Sequence, residues 1–363
     1  MATPQGAVQG AIQQDFLDEL ERASLDIPGS GGRPVVRPKD QLVQPHLWSH
    51  KDMQRLLRRS EHVALGERRM LRLMNPGTPD WKYVTPTLSV SLQQILPGEQ
   101  AIPHRHTASA IRFFISGSAY TTVEQDRCDM EPGDLIVTPG WEWHDYACSG
   151  NEPGVWIDAL DLPIVQYLDS CGYLASLEED IGYQLSNQPR LDYRAAGITE
   201  RRFSAVGLKP LTRATGTSER AGLIHYRWKS TYPALKRLAE QESDPHDDVM
   251  MEYINPENGK SIYPTFACCI QMIKPQVKTL AHRHSSCAVY YVHEGKGQSV
   301  INGQVFDWSA GDFFVVPSFF WHEHANNAKE PAVLFSLQDF PLMKNLGLYL
   351  EEAHPQGHQQ IKN

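Results

Sequence analysis

Short apolar segments separated by turn signals fill two stretches of the chain. In the first stretch the segments with the length and alternation of β-strands are 88–96, 111–115, 134–138 and 155–160. The dipeptides Pro97-Gly98 and Pro132-Gly133 supply turns between them. Many short strands closed by tight turns are typical of a small antiparallel sandwich or barrel. The pattern therefore predicts a mainly β fold.

The periodicity outside these stretches is helical. Ile12, Phe16 and Leu20 recur every four residues, and Pro233 is expected to open a helix over 234–239. The Gly- and Pro-rich stretch 27–38 predicts an extended crossing segment. The predicted organisation is an N-terminal helical or extended arm (1–60), a β domain (61–165), a connector with helices (166–245), a second β domain (246–345) and a tail (346–363).

An internal repeat relates the two β stretches at a fixed offset of 178 positions, without a gap over nearly 80 residues. The residues that recur are of uncommon types in register: Gln93 as Gln271, His104-Arg105-His106 as His282-Arg283-His284, Gly117 as Gly295, Gly133-Asp134 as Gly311-Asp312, Pro139 as Pro317, Trp143-His144 as Trp321-His322, and Asp161 as Asp339. The repeat predicts two similar antiparallel sandwich or barrel domains.

Composition and charge narrow the class of protein. The 363 residues suffice for two domains of ordinary size, and a net charge of −9 argues against nucleic acid as a partner. The six cysteines lack paired spacing, which favours reduced thiols. Because no charged leader with an apolar segment and no membrane-spanning apolar run occurs, we expect a soluble cytoplasmic protein with no membrane partner.

The repeated histidines form the strongest candidate site. His104 and His106 are separated by one residue, so on a strand they point to the same face and can reach one metal ion. His144 follows 38 residues later, where a neighbouring strand could bring it alongside. The second copy repeats the spacing with His282, His284 and His322, which are candidates for a second metal site.

The histidine spacing resembles the cupin superfamily. The motif positions that match are Gly98, His104, His106 and Gly117, followed by Gly133, Pro139 and His144. The superfamily's glutamate ligand is missing, since its position falls at Ala110 or Ile111, and at Ala288 or Val289 in the second copy. The resemblance implies a bicupin of two jelly-roll domains.

Three neutral imidazoles leave a divalent ion with its full charge, which favours an anionic chelator. With three facial protein ligands, three positions stay open for a bidentate substrate and dioxygen, as in facial-triad iron oxygenases. Three imidazoles also suit zinc, so the ligand type leaves the metal open.

A longer set of motifs resembles the gentisate 1,2-dioxygenase family, which includes salicylate and 1-hydroxy-2-naphthoate dioxygenases. The matching segments are Leu96-Pro97-Gly98-Glu99, His104-Arg105-His106, Arg112-Phe113, Pro132-Gly133-Asp134, Trp141-Glu142-Trp143-His144-Asp145, Glu67-Arg68-Arg69 with Asn75-Pro76-Gly77, and Trp156 to Asp161. The resemblance implies Fe(II) on His104, His106 and His144, and ring opening by O2 between the carboxyl- and hydroxyl-bearing carbons. It also implies a homotetramer.

The same resemblance assigns residues to the substrate. Arg112 matches the arginine near the substrate carboxylate, a role that suits a guanidinium fork, and joins the three metal ligands as a catalytic candidate. Further candidates for substrate binding are Arg68 or Arg69, Gln93, Asp158, Tyr146, Ser89 and Trp143. Tyr146 stands where the family often has histidine, and Ser89 where an aromatic is usual. A small residue there predicts a roomier pocket, suited to gentisate or a bulkier relative.

Several alternatives stay open at the level of sequence. Arg112 could be a solvated strand residue, Arg68 or Arg69 could pair with Glu67 or Glu61, and Asp158 could brace a turn. Trp141 and Trp143 could pack the barrel. The competing functions are a 1-hydroxy-2-naphthoate or salicylate 1,2-dioxygenase, another metal-dependent cupin oxidase, decarboxylase or isomerase, and a non-catalytic bicupin. In the second copy Tyr290 replaces Arg112, which favours the N-terminal cupin for catalysis.

Overall fold

A computed structural model describes residues 43–62, 69–123, 126–175, 224–241, 243–256 and 258–362, together with positions 14, 18 and 22. The predicted helix around Ile12, Phe16 and Leu20, the stretch 27–38, Arg68 and most of the connector lie outside these residues, apart from the three isolated positions. In the described part of the chain, no helix has the length and apolarity needed to cross a membrane.

Strands are the main secondary structure of the described chain. In the N-terminal half they are β1 (His46–Trp48), β2 (Arg69–Arg72), β3 (Ser89–Ile95), β4 (His104–His106), β5 (Ala110–Ser116), β6 (Ala119–Val123), β7 (Asp126–Met130), β8 (Leu135–Thr138), β9 (His144–Cys148), β10 (Gly154–Leu160) and β11 (Tyr173–Ala175). In the C-terminal half they are β12 (Ile224–Tyr226), β13 (Val249–Glu252), β14 (Ala267–Ile273), β15 (Val277–Lys278), β16 (His282–His284), β17 (Ala288–Glu294), β18 (Lys296–Ile301), β19 (Gln304–Ser309), β20 (Phe313–Val316), β21 (His322–Asn326), β22 (Ala332–Gln338) and β23 (Glu351–Ala353). The helices are α1 (His50–Ser60), α2 (Leu162–Tyr167), α3 (Trp228–Ala239) and α4 (Phe340–Asn345).

Each half builds a two-sheet antiparallel sandwich. In the first β domain (69–175) the larger sheet has the order β12-β8-β5-β10-β3-β2 and the smaller one β11-β4-β9-β6-β7. The second β domain (249–353) repeats this with β1-β20-β17-β22-β14-β13 and β19-β18-β21-β16-β23, where β15 also pairs with β21. The predicted mainly β fold with two sandwich domains is confirmed, and β11 continues the first domain beyond the expected end at 165.

The two domains exchange edge strands reciprocally. The strand β1 precedes the first β domain but pairs with β20 of the second, while β12 precedes the second domain but pairs with β8 of the first. The chain after each strand is anchored in the same way: the His50 N–H donates to Asp312 Oδ1 and the Trp228 N–H to Asp134 Oδ1, each at 2.7 Å. The repeat therefore extends into segments expected to be an arm and a connector.

The helix α3 begins at Trp228, so the expectation that Pro233 opens it is wrong; the proline lies inside the helix. A carboxylate of the first β domain accepts the hydrogen bond of the Trp228 N–H, which would otherwise be unsatisfied at a helix start. This partner lies 94 residues away in sequence and is invisible to a local helix-start pattern.

The larger sheets of both domains share one hydrophobic core. Val90 and Leu92 of β3 pack in the same buried cluster as residues of β17 and β22, and the rings of Phe113 and Phe335 stack with centroids 4.2 Å apart. The other side of β3 carries Ser91 and Gln93, so this strand is buried on both faces. Its inward side is the polar lining of the first β domain.

Candidate metal centre and substrate pocket

The three predicted ligands of the first β domain converge. His104 and His106 lie on β4, and His144 begins β9 directly opposite His104. Each ring offers one nitrogen, and these nitrogens lie within 4.8 Å of one another. The alternation of a strand places the two β4 rings on one side, and the antiparallel register adds the third.

Backbone carbonyls orient all three rings. The oxygens of Ile102, Ala108 and Glu142 lie 2.8 to 2.9 Å from Nδ1 of His104, His106 and His144, respectively. We assign Nδ1 as the protonated donor in each ring, which leaves Nε2 with its lone pair facing the shared centre. Within the described residues, Nε2 of His144 is buried and has no hydrogen-bond partner. A buried orphan lone pair in this set of donors fits a metal ligand.

The electrostatics keep His144 in its ligating form. Burial, and after it the nearby Arg112 guanidinium, hold the pKa of His144 well below its usual value. The neutral imidazole binds a metal ion, whereas the protonated one cannot. The site is therefore poised for a cation near neutral pH.

Arg112 is a buried cation in the same domain. Its Nη1 donates to Thr138 Oγ1 at 2.7 Å, and its Nε lies 4.0 Å from Asp158 Oδ1, at the limit of an ion pair. Its guanidinium also lies 5.5 Å from the ring centre of Tyr146. In the part of the chain that the structure covers, Nε has no hydrogen-bond partner. The charge of this buried guanidinium is only weakly compensated by neighbouring groups. It therefore favours the binding of an anion.

The remaining predicted lining residues fall on adjacent inward positions. Gln93 donates through Nε2 to the Tyr146 hydroxyl, and Asp158 on β10 lies opposite Arg112 on one side and Ser91 on the other. Ser89 begins β3 on the same side and is buried. The sequence prediction did not include Thr138 or Ser91. A polar residue at the end of the buried run Leu135–Thr138 was the available signal for Thr138.

Two other candidates have protein partners. Arg69 binds Glu99, with Nη1 at 2.6 and 2.7 Å from the two carboxylate oxygens. The guanidinium of Arg105 lies 5.0 Å from the ring centre of Trp143, which places this tryptophan beside the residue that faces away from the two β4 histidines. Arg68, the alternative to Arg69, lies outside the described residues.

The second triad has the same geometry. His282 lies opposite His322, and their donor nitrogens, with that of His284, also lie within 4.8 Å of one another. Burial lowers the pKa of His282 to about 3, and the neighbouring histidines add to the effect. His144 in the first triad and His282 in the second are therefore both held as neutral imidazoles.

Comparison with known proteins shows which protein family has this site. The Cupin domain model matches residues 91–160 and 269–338. The chain is 36% identical over 332 residues to 5-aminosalicylate 1,2-dioxygenase of Comamonas sp. This alignment covers 88% of this chain and 84% of that protein. It is 35% identical over 349 residues to gentisate 1,2 dioxygenase 1 of Aquipseudomonas alcaligenes, covering 94% and 96%. The chain belongs to the family of gentisate, salicylate and hydroxynaphthoate 1,2-dioxygenases.

Solved structures of this dioxygenase family agree. Salicylate 1,2-dioxygenase from Pseudaminobacter salicylatoxidans superposes with a TM-score of 0.79 at 29% identity, covering 95% of this chain and 98% of that one. The gentisate adduct of that enzyme also matches with a TM-score of 0.79. The predicted resemblance to the ring-cleaving dioxygenases is confirmed, and the histidine triads of this member are suited to a metal cofactor.

Proposed function

We propose that the first β domain is the catalytic centre of an iron(II)-dependent dioxygenase that opens an aromatic ring bearing adjacent carboxyl and hydroxyl groups. The observation that carries the proposal is the buried, weakly paired Arg112 in the domain where His104, His106 and His144 converge. One site thus offers ligands for a cation and a guanidinium for a carboxylate. Gentisate and salicylate relatives support this class of substrate.

When bound, Fe(II) would supply the chelating centre and the redox chemistry with O2. The histidine Nε2 atoms would hold the ion, and the carbonyls behind each Nδ1 would keep the rings fixed. The overall reaction breaks the bond between the carboxyl- and hydroxyl-bearing ring carbons and places both oxygen atoms of O2 in the product. No external reductant is required.

The residues around the centre would orient the acid. Arg112 would bind the carboxylate while Thr138 holds the guanidinium in place. Tyr146, whose hydroxyl accepts from Gln93, would donate a hydrogen bond to a phenolic oxygen of the substrate. Asp158 would limit the net positive charge around Arg112. Each group acts by positioning and by charge rather than by forming a covalent bond.

We propose gentisate or a bulkier relative as the preferred ring, because Ser89 leaves space where the family usually has an aromatic. Relatives acting on 5-aminosalicylate and on 1-hydroxy-2-naphthoate, the latter 32% identical over 316 residues, favour a tolerant pocket. Steady-state kinetics on gentisate, salicylate, 5-aminosalicylate and 1-hydroxy-2-naphthoate test this. Strict preference for unsubstituted salicylate would contradict the enlarged pocket.

Anaerobic loading with Fe(II), followed by addition of gentisate and oxygen, tests the reaction itself. We expect uptake of one O2 per ring opened and a new near-ultraviolet absorption band. Protein loaded with Zn(II), which has no redox chemistry, is the matched control and should consume no oxygen. Release of CO2 or of peroxide, or turnover without oxygen, would instead indicate a decarboxylase, an oxidase or an isomerase.

We also propose that the protein is cytoplasmic and forms a homotetramer. The absence of paired cysteine spacing supports the cytoplasm, and the family resemblance supports a homotetramer. Light scattering of the purified protein would give four times the chain mass of 41.0 kDa if the tetramer forms.

A further inference from the structure

The rings of the second triad are spaced almost as those of the first. Ring centroids of His282, His284 and His322 are 4.2, 4.9 and 5.7 Å apart. The corresponding distances in the first triad are 4.3, 4.8 and 5.8 Å. A repeated sequence that had lost its ligand role would be free to let these rings drift, since each is surrounded by different neighbours. The agreement indicates a constraint that both centres share.

The ring orientations in the second triad also fit metal binding. Nδ1 of His284 lies 2.8 Å from the Ser286 carbonyl and Nδ1 of His322 lies 3.0 Å from the Phe320 carbonyl. Among the described residues, Nε2 of His322 is buried without a hydrogen-bond partner, as Nε2 of His144 is in the first triad. A buried orphan nitrogen costs stability unless something binds it.

The buried cation of the first domain and the carboxylate beside it are both replaced in the second domain. At the offset of 178, Arg112 becomes Tyr290 and Asp158 becomes Ser336, which pair across β17 and β22 as their counterparts do across β5 and β10. The ring of Tyr290 stacks on Phe314 with centroids 4.7 Å apart. The second β domain thus has a neutral aromatic contact where the first has a cation.

The opening beside this lining is acidic. A cavity of about 450 Å³ lies against Cys269 of β14, the counterpart of Ser91. Four carboxyl groups line it, those of Asp244, Asp247, Asp248 and Glu252. The described lining residues include no lysine or arginine. Asp247 occupies the position of Arg69, and its backbone carbonyl accepts from Gln271 Nε2 at 2.8 Å. At this position a cation of the first domain is replaced by a carboxyl group, while Arg112 is replaced by the neutral Tyr290.

Charge balance separates the two centres. A divalent ion on three neutral imidazoles needs nearby negative charge. In the first β domain Arg112 adds further positive charge, so the anion must come from the substrate. In the second, Tyr290 stands in place of Arg112 and provides no cation to receive the carboxylate of an aromatic acid.

We propose that His282, His284 and His322 hold a divalent metal ion in the second β domain, and that this centre does not bind the aromatic hydroxy acid. The inference goes beyond the proposed function and concerns a second, non-substrate metal site. It predicts two metal ions per chain, of which one responds to substrate.

Cobalt(II) substitution under anaerobic conditions tests both halves of the proposal. We expect two Co(II) per chain in the unmodified protein, one in His144→Ala, one in His322→Ala and none in the double variant. Adding gentisate should change the visible Co(II) spectrum of His322→Ala, which keeps the first centre, and leave that of His144→Ala unchanged. Circular dichroism confirms that each variant is folded.

A matched control is His324→Gln, which alters a buried histidine of the same strand that lies outside the triad. It should keep two Co(II) per chain. One Co(II) in the unmodified protein, loss of a metal from His324→Gln, or a gentisate-dependent spectrum in His144→Ala would overturn the proposal. If only the His322→Ala spectrum fails to respond, the proposed substrate site is wrong while the second metal site stands.

Discussion

At the scale of single residues, Arg112 and Thr138 form a functional pair. A guanidinium inside a sandwich must be held in one orientation to present a fork to a carboxylate, and Thr138 Oγ1 is the hydrogen-bond acceptor that does so. The threonine need not contact the substrate. It is a positioning residue, whereas Arg112 is the proposed substrate contact.

Replacing the pair separates these roles. Arg112→Lys keeps the charge but loses the fork, and we expect kcat/KM for gentisate to fall by roughly 10- to 100-fold. Thr138→Val should raise KM by roughly 3- to 10-fold with little change in kcat, because one charge-assisted hydrogen bond is lost. Thr138→Ser should restore KM. A fall in kcat alone for Thr138→Val, or no rescue by serine, would show that the threonine acts by packing.

The parts of the candidate site that could be predicted are those that depend on the alternation of side chains along a strand. The HxH spacing and its repeat identified both triads, because residues two apart on a strand share a face. Partners from distant segments were not visible: Glu99, which binds Arg69, lies 30 residues away. Thr138 was missed for the same reason, since its role depends on the register of β5 and β8.

At the scale of elements, the exchanged strands depend on close packing at a glycine. Gly133 has a φ of +87°, and a Cβ atom built there would lie 2.5 Å from Trp228 at the start of α3. Asp134, the next residue, accepts from the Trp228 N–H and lies 2.6 Å from His225 Nε2 of β12. This turn is therefore where the segment before the second β domain is fixed to the first.

Two alanine substitutions isolate this contact. Gly98 has a similar φ of +81° but nothing within 4 Å of a built Cβ, so Gly98→Ala should cost only about 1 kcal/mol of backbone strain. Gly133→Ala should cost roughly 1–3 kcal/mol more, because Trp228 must shift. Free energies of unfolding from urea titration give the comparison. Equal losses in the two variants would mean that the strand exchange tolerates a displaced Trp228.

The repeat made two sandwiches predictable, but the exchange of strands was not. The sequence around β1 and β12 was interpreted as an arm and a connector. Each of these strands is only three residues long, and its pairing partner lies in the other domain. His50 and its acceptor Asp312 are 262 residues apart. Local patterns record strand propensity, whereas the choice of partner depends on the shared core that brings the domains together.

At the scale of the whole molecule, two symmetric hydrogen bonds join the domains. Thr87 Oγ1 donates to Asp339 Oδ2 at 2.6 Å, and its counterpart Thr265 donates to Asp161 Oδ2 at 2.7 Å. Burial raises the pKa of both aspartates, although the donated hydrogen bonds oppose the shift. Each carboxylate therefore ties the domains together at a cost in charge burial.

This cost makes stability depend on pH in a definite direction. Burial raises the pKa of Asp339 from 3.8 to about 6, so the folded state binds this proton more tightly than the unfolded state. The stabilisation is complete below about pH 4 and is lost as pH rises through 6, with a total on the order of 3 kcal/mol. Asp339→Asn is neutral throughout and should lack this loss. Unfolding free energies should be measured from pH 4 to 7.5. Relative to Asp339→Asn, the free energy of unfolding of the unmodified protein should fall as the pH rises. The control Asp307→Asn, which changes an exposed aspartate, should follow the unmodified protein. Parallel curves for Asp339→Asn and the unmodified protein would show that this carboxylate is ionised at no cost within the interface.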